Sequence, residues 1–520
     1  MENLKNRNNV TKNSLLFKNS VFNLVGQGAP LLAAVFAIPI LIHSLGAEKF
    51  GLLTLAWMSI GYLGFFDFGI GRATTKFVAE YIADGSDEYI PQLVSDSVKI
   101  LIIIGIVAGI GTALIAPWLT ASVLKVPLDL INEATTSFYI IAISLPLVLG
   151  ATATRGYLEG CQNFFIVNAI RIPGGILLIA APLFALPFTK NLIYLVAAIA
   201  LSRAALFIAY AYYTHLGVKR IQVSPRQSAG GNFRKLFKFG GLVALTNVLG
   251  SLMSMAYIDR ILIGHILGVG ALTYYVTPFE MVTKILIIPS SLMAVLFPVF
   301  AMQKNDSKAL GILYYRAIRY VFMITLPLVV FIIIYGYQGL SLWINVNFAE
   351  KSYLILELFA IGVLANSIAY IPFAMTQALG RPDVTAKRHL IELPFYVLLL
   401  YYFIEHFGLK GAAGVWVIWA CVDMIFMFVL ARKMNPIFFV YSEALKIFSM
   451  ALAFIAAALL ISSIANNSIY RMLGAALLLF VLGYFYWIYF LELNERTFIK
   501  KLSRQFFVKL LNILRILKNG

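Results

Sequence analysis

The chain is a near-continuous series of apolar runs. Each is long enough for a helix of about 20 residues, the length that crosses the hydrocarbon core of a bilayer. About fourteen runs fit the 520 residues, near 20–42, 50–72, 97–118, 134–156, 166–188, 191–214, 238–259, 272–300, 318–339, 353–378, 390–406, 411–432, 446–465 and 471–491. The connections between them are short, which leaves no room for a soluble catalytic domain. With 61% hydrophobic and 12% charged residues, the chain has more apolar surface than a soluble core can bury. Inside a membrane every backbone polar group must be paired internally, and runs of this length satisfy that only as helices. The expected fold is all-α and polytopic, with about 14 transmembrane helices.

The net charge of +18 would suggest nucleic acid in a soluble protein. Here the basic residues gather in alternate connections, so they set orientation and no nucleic-acid partner is expected. One set lies before Phe22 (Lys5, Arg7, Lys12, Lys18), around residue 225, at Lys304 to Arg319, at Arg381 to Arg388, at Arg432 to Lys446, and after Arg496. The intervening connections carry about one cation each, among them Lys49, Lys125, Lys351 and Arg471. This bias predicts that both termini are cytoplasmic. The N-terminal tail is polar and has no cleavage box, so no cleavable signal is expected. Cys161 and Cys421 lie in or beside apolar spans and suggest neither a disulfide framework nor a metal site.

The chain carries an internal repeat. Residues Ile40-Leu41-Ile42-His43-Ser44-Leu45-Gly46 match Leu262-Ile263-Gly264-His265-Ile266-Leu267-Gly268. Arg171-Ile172-Pro173 matches Glu392-Leu393-Pro394 at nearly the same offset, and Arg203 corresponds to Asp423. Duplication of this kind is frequent in transporters, where two bundles move about a shared site. The predicted organisation is a cytoplasmic tail (1–19), a six-helix lobe (20–215), a basic cytoplasmic linker (216–237), a second six-helix lobe (238–432), helices 13 and 14 (446–491), and a basic tail (492–520). In that tail Leu502, Phe506, Leu510, Leu514 and Leu517 form an apolar stripe among lysines and arginines. It reads as an amphipathic helix on an anionic membrane surface, or alternatively as a partner-binding helix.

Charge inside the apolar runs identifies the candidate site. Arg203 lies within LIYLVAAIALSRAALFIAYAYY, a helix that offers no acid. A cation at bilayer depth costs ~2.5–3.5 kcal/mol on insertion scales and marks a pathway or a binding site. Its structural alternative is an ion pair with another helix, for which Asp423 is the candidate. Lys284 falls near the middle of the 272–300 span, with Glu280 one turn before it; both a structural pair and a substrate-opened pair remain open. Arg72 marks an inner mouth, and Arg171 lies one turn in from a cytoplasmic end. Asp67, in LGFFDFGIGR, is either a cation or proton site or a cap. Arg155 and Glu159 read as a surface pair, and Asp259-Arg260 as charge at an outer helix end, where snorkelling is cheap. At two repeat-equivalent positions the first half carries arginine where the second carries acid. A phosphate or pyrophosphate head would be drawn to that positive first half, since guanidinium binds phosphate in a bidentate way. Arg203, Lys284, Arg72 and Arg171 are the candidate cationic substrate site; Asp67, Glu280, Glu392 and Asp423 are candidates for gating or ion coupling. Pro39, Gly64, Pro173, Pro278, Pro289 and Pro394 are expected bending points. There is no Walker motif, no HExxH, and no large outer loop for chemistry, so no enzyme, cofactor or metal is expected.

Three segments carry a family resemblance: DFGIGRATTKFVAEY, YIDRILIGHILG and QALGRPDVTAKRHLIELPFYV, the last being the most specific. Over about residues 15–435 the chain resembles the polysaccharide-repeat (O-antigen and capsule type) flippases of the multidrug/oligosaccharidyl-lipid/polysaccharide exporter superfamily. The resemblance implies a V-shaped cavity between two six-helix lobes. It also implies transport, by alternating access, of an undecaprenyl-pyrophosphate-linked oligosaccharide to the outer leaflet of a bacterial plasma membrane. Membrane lipids and polysaccharide polymerase machinery are then the expected partners, and a proton or sodium ion the candidate coupling ion. Two relatives in the same superfamily are the alternatives. One is a cation-coupled multidrug exporter, which the cationic first half disfavours. The other is a lipid II flippase, expected to carry more arginine in span 1, where this chain has Asn23 and Gln27. A membrane polymerase is disfavoured by the short outer loops.

Overall fold

The computed structural model describes residues 13–62, 67–221, 258–302, 306–379, 381–434, 441–464, 467–493 and 495–497. Most of the seventh expected span and of the basic linker, Gly64, the first twelve residues and the amphipathic stripe of the tail lie outside them. Among the described residues fourteen α-helices follow one another: α1 Asn13–Tyr62, α2 Ile70–Ala83, α3 Ile90–Trp118, α4 Ile131–Gly160, α5 Phe164–Ala185, α6 Leu192–Lys219, α7 Ile258–Leu267, α8 Val269–Thr283, α9 Ile287–Met302, α10 Ser307–Trp343, α11 Val346–Ala378, α12 Pro382–Met434, α13 Tyr441–Ile464 and α14 Ser468–Phe485. No strand occurs among the described residues.

Eleven stretches among the described residues are long and apolar enough to cross a membrane. Two of them contain two expected spans each, because α1 and α12 are each two helices joined at a glycine. Gly46 (φ 75°) and Gly408 (φ 58°) adopt left-handed backbone that L side chains disfavour. With the span outside the described residues, this fits the expected fourteen. The protein is a helical, multi-pass membrane protein. Gly268, the repeat partner of Gly46, is also left-handed (φ 85°), so both matched motifs end in a positive-φ glycine.

The expected helix over 272–300 is broken. A 3₁₀ turn at Lys284–Leu286 separates α8 from α9. Pro289 explains it: proline lacks an N–H and its ring clashes with the carbonyl four residues earlier, that of Ile285. By contrast, Pro39, Pro173, Pro278 and Pro394 lie inside continuous helices.

The chain forms two compact units, Met1–Thr277 with Ala386–Ala412 and Pro278–Thr385 with Ala413–Gly520. In unit 1, α4 is central and packs on α2, α3 and α6. Lipid is as apolar as leucine, so close van der Waals fit must hold such helices together, and small residues permit it. A Cβ at Gly105 of α3 would lie 2.5 Å from the Pro146 backbone, and one at Gly109 2.6 Å from the Ala142 carbonyl. One turn apart on α4, Gly156 and Gly160 press in the same way on the backbone of Gly71 and Thr75 in α2. Ile70, Leu101, Leu149 and Ala153 form the dry centre of this packing.

In unit 2, α10 packs on α11, α13 and α14. Phe279, Phe359 and Trp416 meet edge to face, with ring centroids 5.1–5.4 Å apart, a geometry that ring quadrupoles favour. Helix starts are capped locally. Asp306 accepts from the Lys308 and Ala309 amides (3.1 and 3.0 Å), and Asn345 from the Phe348 amide (2.8 Å). Each cap satisfies an amide that the first turn would leave unpaired.

Candidate functional site

Three arginines from three helices of unit 1 line one cavity of about 320 Å³. α4 supplies Arg155 and Thr152, α5 supplies Arg171, and α6 supplies Arg203 and Tyr210. No carboxylate is among the lining residues. Small residues create the approach. A Cβ at Gly174 of α5 would overlap Leu206 of α6 at 2.1 Å; Arg171 and Arg203 each lie about one turn from that contact.

Arg203 lies ~16 Å along α6 from Leu192, at 1.5 Å per residue. Its Nε is buried with no hydrogen-bond partner among the described residues. A buried donor left unmade costs roughly 1–3 kcal/mol, and more when charged. An anionic oxygen entering the cavity would recover that cost. Arg155 pairs with Glu159 at 3.2 Å, on the half-exposed edge of α4. The surface-pair expectation for Arg155 therefore captured one of its contacts and missed its place in the cavity. The Glu159 pairing at one-turn spacing concealed it; the usable signal was Thr152, a polar residue nearly one turn earlier on the same helix.

Asp67 sits beside this group. Its Oδ1 accepts from the Gly69 amide at 2.7 Å, closing a turn in which Phe68 and Gly69 are left-handed. Its Oδ2 and Thr152 flank Gly71, 3.3 and 3.4 Å from where a Cβ would stand. Asp67 interacts electrostatically with Arg72 and Arg155, and Arg72 is exposed on α2.

The other candidate residues lie elsewhere. Lys284 donates to Glu280 at 2.9 Å in unit 2, and both side chains are nearly half exposed. Glu392, on the first part of α12, accepts from the buried Arg388 at 2.6 Å. Asp423 falls in unit 2 whereas Arg203 falls in unit 1.

Asp259 corrects the snorkelling expectation. It is 0% exposed and accepts from the hydroxyls of Tyr275 (2.5 Å) and Tyr396 (2.6 Å), next to a buried Arg260. A carboxylate this deep needs such donors. Tyr396 is 137 residues away in sequence, so no local pattern revealed the pairing. Glu357 on α11 was also missed. It is 6% exposed, and its signal was a lone acid inside the apolar run LILELFAIGV. Among the described residues, no group of three or more His, Cys, Asp or Glu could hold a metal ion.

A second cavity of about 510 Å³ adjoins the first. It shares Gly174 and Leu206 with the arginine cavity, and Ile170, Ile176, Leu177 and Phe184 make it almost wholly apolar. A cationic pocket thus shares walls with a hydrocarbon-like groove.

Comparison with known proteins gives the class first. A solved "Inward-facing conformation of a multidrug resistance MATE family transporter of the MOP superfamily" superposes with a TM-score of 0.67 at 17% identity, covering 79% of this chain and 97% of that one. The fold is that of a membrane transporter of this superfamily. The family described as "Polysaccharide biosynthesis protein" matches residues 16–304. The chain belongs to that family, the polysaccharide flippases of the superfamily. It is 29% identical over 423 residues to the "Putative O-antigen transporter" of Shigella flexneri, spanning 81% of this chain and 99% of that protein. It is 22% identical over 403 residues to the "Probable low-salt glycan biosynthesis flippase Agl15" of Haloferax volcanii, spanning 76% of this chain and 78% of that protein.

Proposed function

We propose that this protein flips an undecaprenyl-pyrophosphate-linked oligosaccharide from the inner to the outer leaflet of a bacterial plasma membrane. The observation that carries the reading is the convergence of Arg155, Arg171 and Arg203 on a cavity whose lining has no carboxylate. A pyrophosphate cannot enter hydrocarbon unpaired. Guanidinium groups supply bidentate, charge-assisted hydrogen bonds that replace its water. The apolar groove sharing Gly174 and Leu206 is suited to the first isoprene units, so head and tail are met by adjoining surfaces.

The duplicated six-helix lobes are the moving parts, in an alternating-access cycle of the kind repeats support. The loop-charge bias supports cytoplasmic termini, and polysaccharide polymerase machinery receives the cargo on the far side. A proton or sodium ion drives the cycle through acids of the apolar spans, for which Asp67, Glu280, Glu392 and Asp423 remain candidates, joined by the buried Asp259 and Glu357. A related reading is a cation-coupled multidrug exporter, favoured by the superposition on the multidrug transporter fold but opposed by the arginine lining.

The test uses proteoliposomes containing a short-chain polyprenyl-pyrophosphate oligosaccharide, with and without a proton or sodium gradient. Head movement between leaflets is expected. Gradient-driven efflux of a cationic dye with no lipid movement would establish the exporter instead.

A further inference from the structure

Unit 2 has a cavity of a different chemical character. It measures about 400 Å³ and is lined by Tyr337, Gln338, Glu350, Tyr353, Ser462 and Arg471. These residues lie at one end of the unit: near the end of α10, in the first turns of α11, near the end of α13, and at the start of α14. Gln338 is ~33 Å along α10 from Arg316, at 1.5 Å per residue. That is about the thickness of a hydrocarbon core, and Arg316 belongs to the opposite, charge-rich end, where it binds Glu492.

The lining is built for a ligand with both an apolar face and a rim of hydroxyls. Tyr337 and Tyr353 meet edge to face at 5.7 Å. Neither hydroxyl has a hydrogen-bond partner among the described residues, and neither does Glu350. Gln338 Oε1 and Arg471 Nε are buried and likewise unsatisfied, although Arg471 reaches the Ser462 carbonyl through its other nitrogen at 3.2 Å. Buried polar groups are ordinarily paired, so two unmet ones beside a cavity of small-molecule size indicate a polar occupant. One carboxylate and one guanidinium leave the lining without net charge. This separates it from the three-arginine cavity of unit 1 and disfavours an anion.

We propose that this cavity binds a neutral monosaccharide unit, stacked on Tyr337 or Tyr353 and hydrogen-bonded by Gln338, Glu350 and Arg471. On the flippase reading, on which this assignment of cargo rests, it holds a sugar of the glycan on the side where the cargo is released. Sugar rings have C–H faces that aromatic rings cover, and hydroxyls that both donate and accept. Gln338, Glu350 and Arg471 together offer acceptors and donors to match.

The experiment is saturation-transfer NMR on the purified full chain in nanodiscs, with glucose, galactose, N-acetylglucosamine and N-acetylgalactosamine as probes. Transfer to at least one sugar is expected. Tyr353→Ala and Gln338→Leu should each weaken it about tenfold, as the loss of one good contact would, while Arg203→Ala leaves it unchanged. Both variants must elute as the wild type does; Tyr353→Phe, which keeps the ring, should retain most of the signal. Transfer to none of the sugars, transfer that survives both substitutions, or displacement of the sugar by inorganic phosphate would overturn the proposal. Lipid flipping without sugar binding would sink this inference alone, and sugar binding without lipid flipping would sink the flippase reading alone.

Discussion

Two clusters of cations, one in each unit, have different surroundings. In unit 2, Lys284 is neutralised by Glu280. Arg316 and Arg319 share Glu492, and Arg319 also binds Glu495. In unit 1, Arg155, Arg171 and Arg203 face one cavity with no carboxylate in its lining. The same residue types are structural in the first setting and, on the proposed function, a recognition surface in the second. The difference is whether acids lie among the cations or are absent from the lining they share.

Removing Arg203 should break the comparison most severely. Arg203→Ala is expected to lower lipid flipping about 10–100-fold, the loss of one charge-assisted hydrogen bond or two, at unchanged membrane yield. Arg203→Lys should rescue it only in part, because an ammonium lacks the bidentate fork. Failure of Arg203→Ala to reach the membrane would show that the residue is structural.

Arg155→Ala should cost about tenfold in flipping, less than Arg203→Ala because Glu159 already engages that guanidinium. An effect as small as that of the unit 2 variants below would remove Arg155 from the recognition surface.

Lys284→Ala tests the other side. A half-exposed pair one turn apart is worth ~0.2–0.5 kcal/mol, so flipping is expected to stay within about twofold. A loss matching that of Arg203→Ala would mean that unit 2 also presents cationic recognition.

Glu492→Gln should have the smallest effect. A hydrogen bond from Arg316 holds the Glu492 carboxyl below its ordinary value of 4.5. A depressed carboxylate contributes stability above its unfolded pKa and loses it as pH falls through the folded one. The contribution is therefore present at neutral pH and fades as pH falls below the ordinary value of 4.5. An exposed pair of this kind is worth at most about 1 kcal/mol. Thermal unfolding in detergent at pH 7 and pH 4 should show a small wild-type advantage at pH 7 that shrinks at pH 4; an advantage that grows in acid would reverse the assignment.

The helical fold was legible because hydrocarbon allows few alternatives to runs of this length. The breaks were less so. Gly46 could be read from its repeat, but Gly408 has no matching motif, and Pro289 acted on the turn before it while other prolines sit within continuous helices. Arg203 stood out because no local acid explained it, and Arg171 because the repeat places an acid, Glu392, at its equivalent position. Arg155 did not, because Glu159 supplied an explanation one turn away that was true but incomplete. Asp259 was misjudged for the complementary reason: its partners, Tyr275 and Tyr396, come from other helices, and position along one helix says nothing about them.

The central claim is that the arginine cavity recognises an anionic lipid head. The direct measurement is equilibrium binding, in nanodiscs, of a fluorescent short-chain polyprenyl pyrophosphate and of the corresponding neutral polyprenol, to the wild type and to Arg203→Ala. The pyrophosphate is expected to bind the wild type far more tightly than the polyprenol does, and Arg203→Ala to remove about 10–100-fold of that preference. Equal affinity for the two lipids, or an unchanged preference in Arg203→Ala, would contradict the claim.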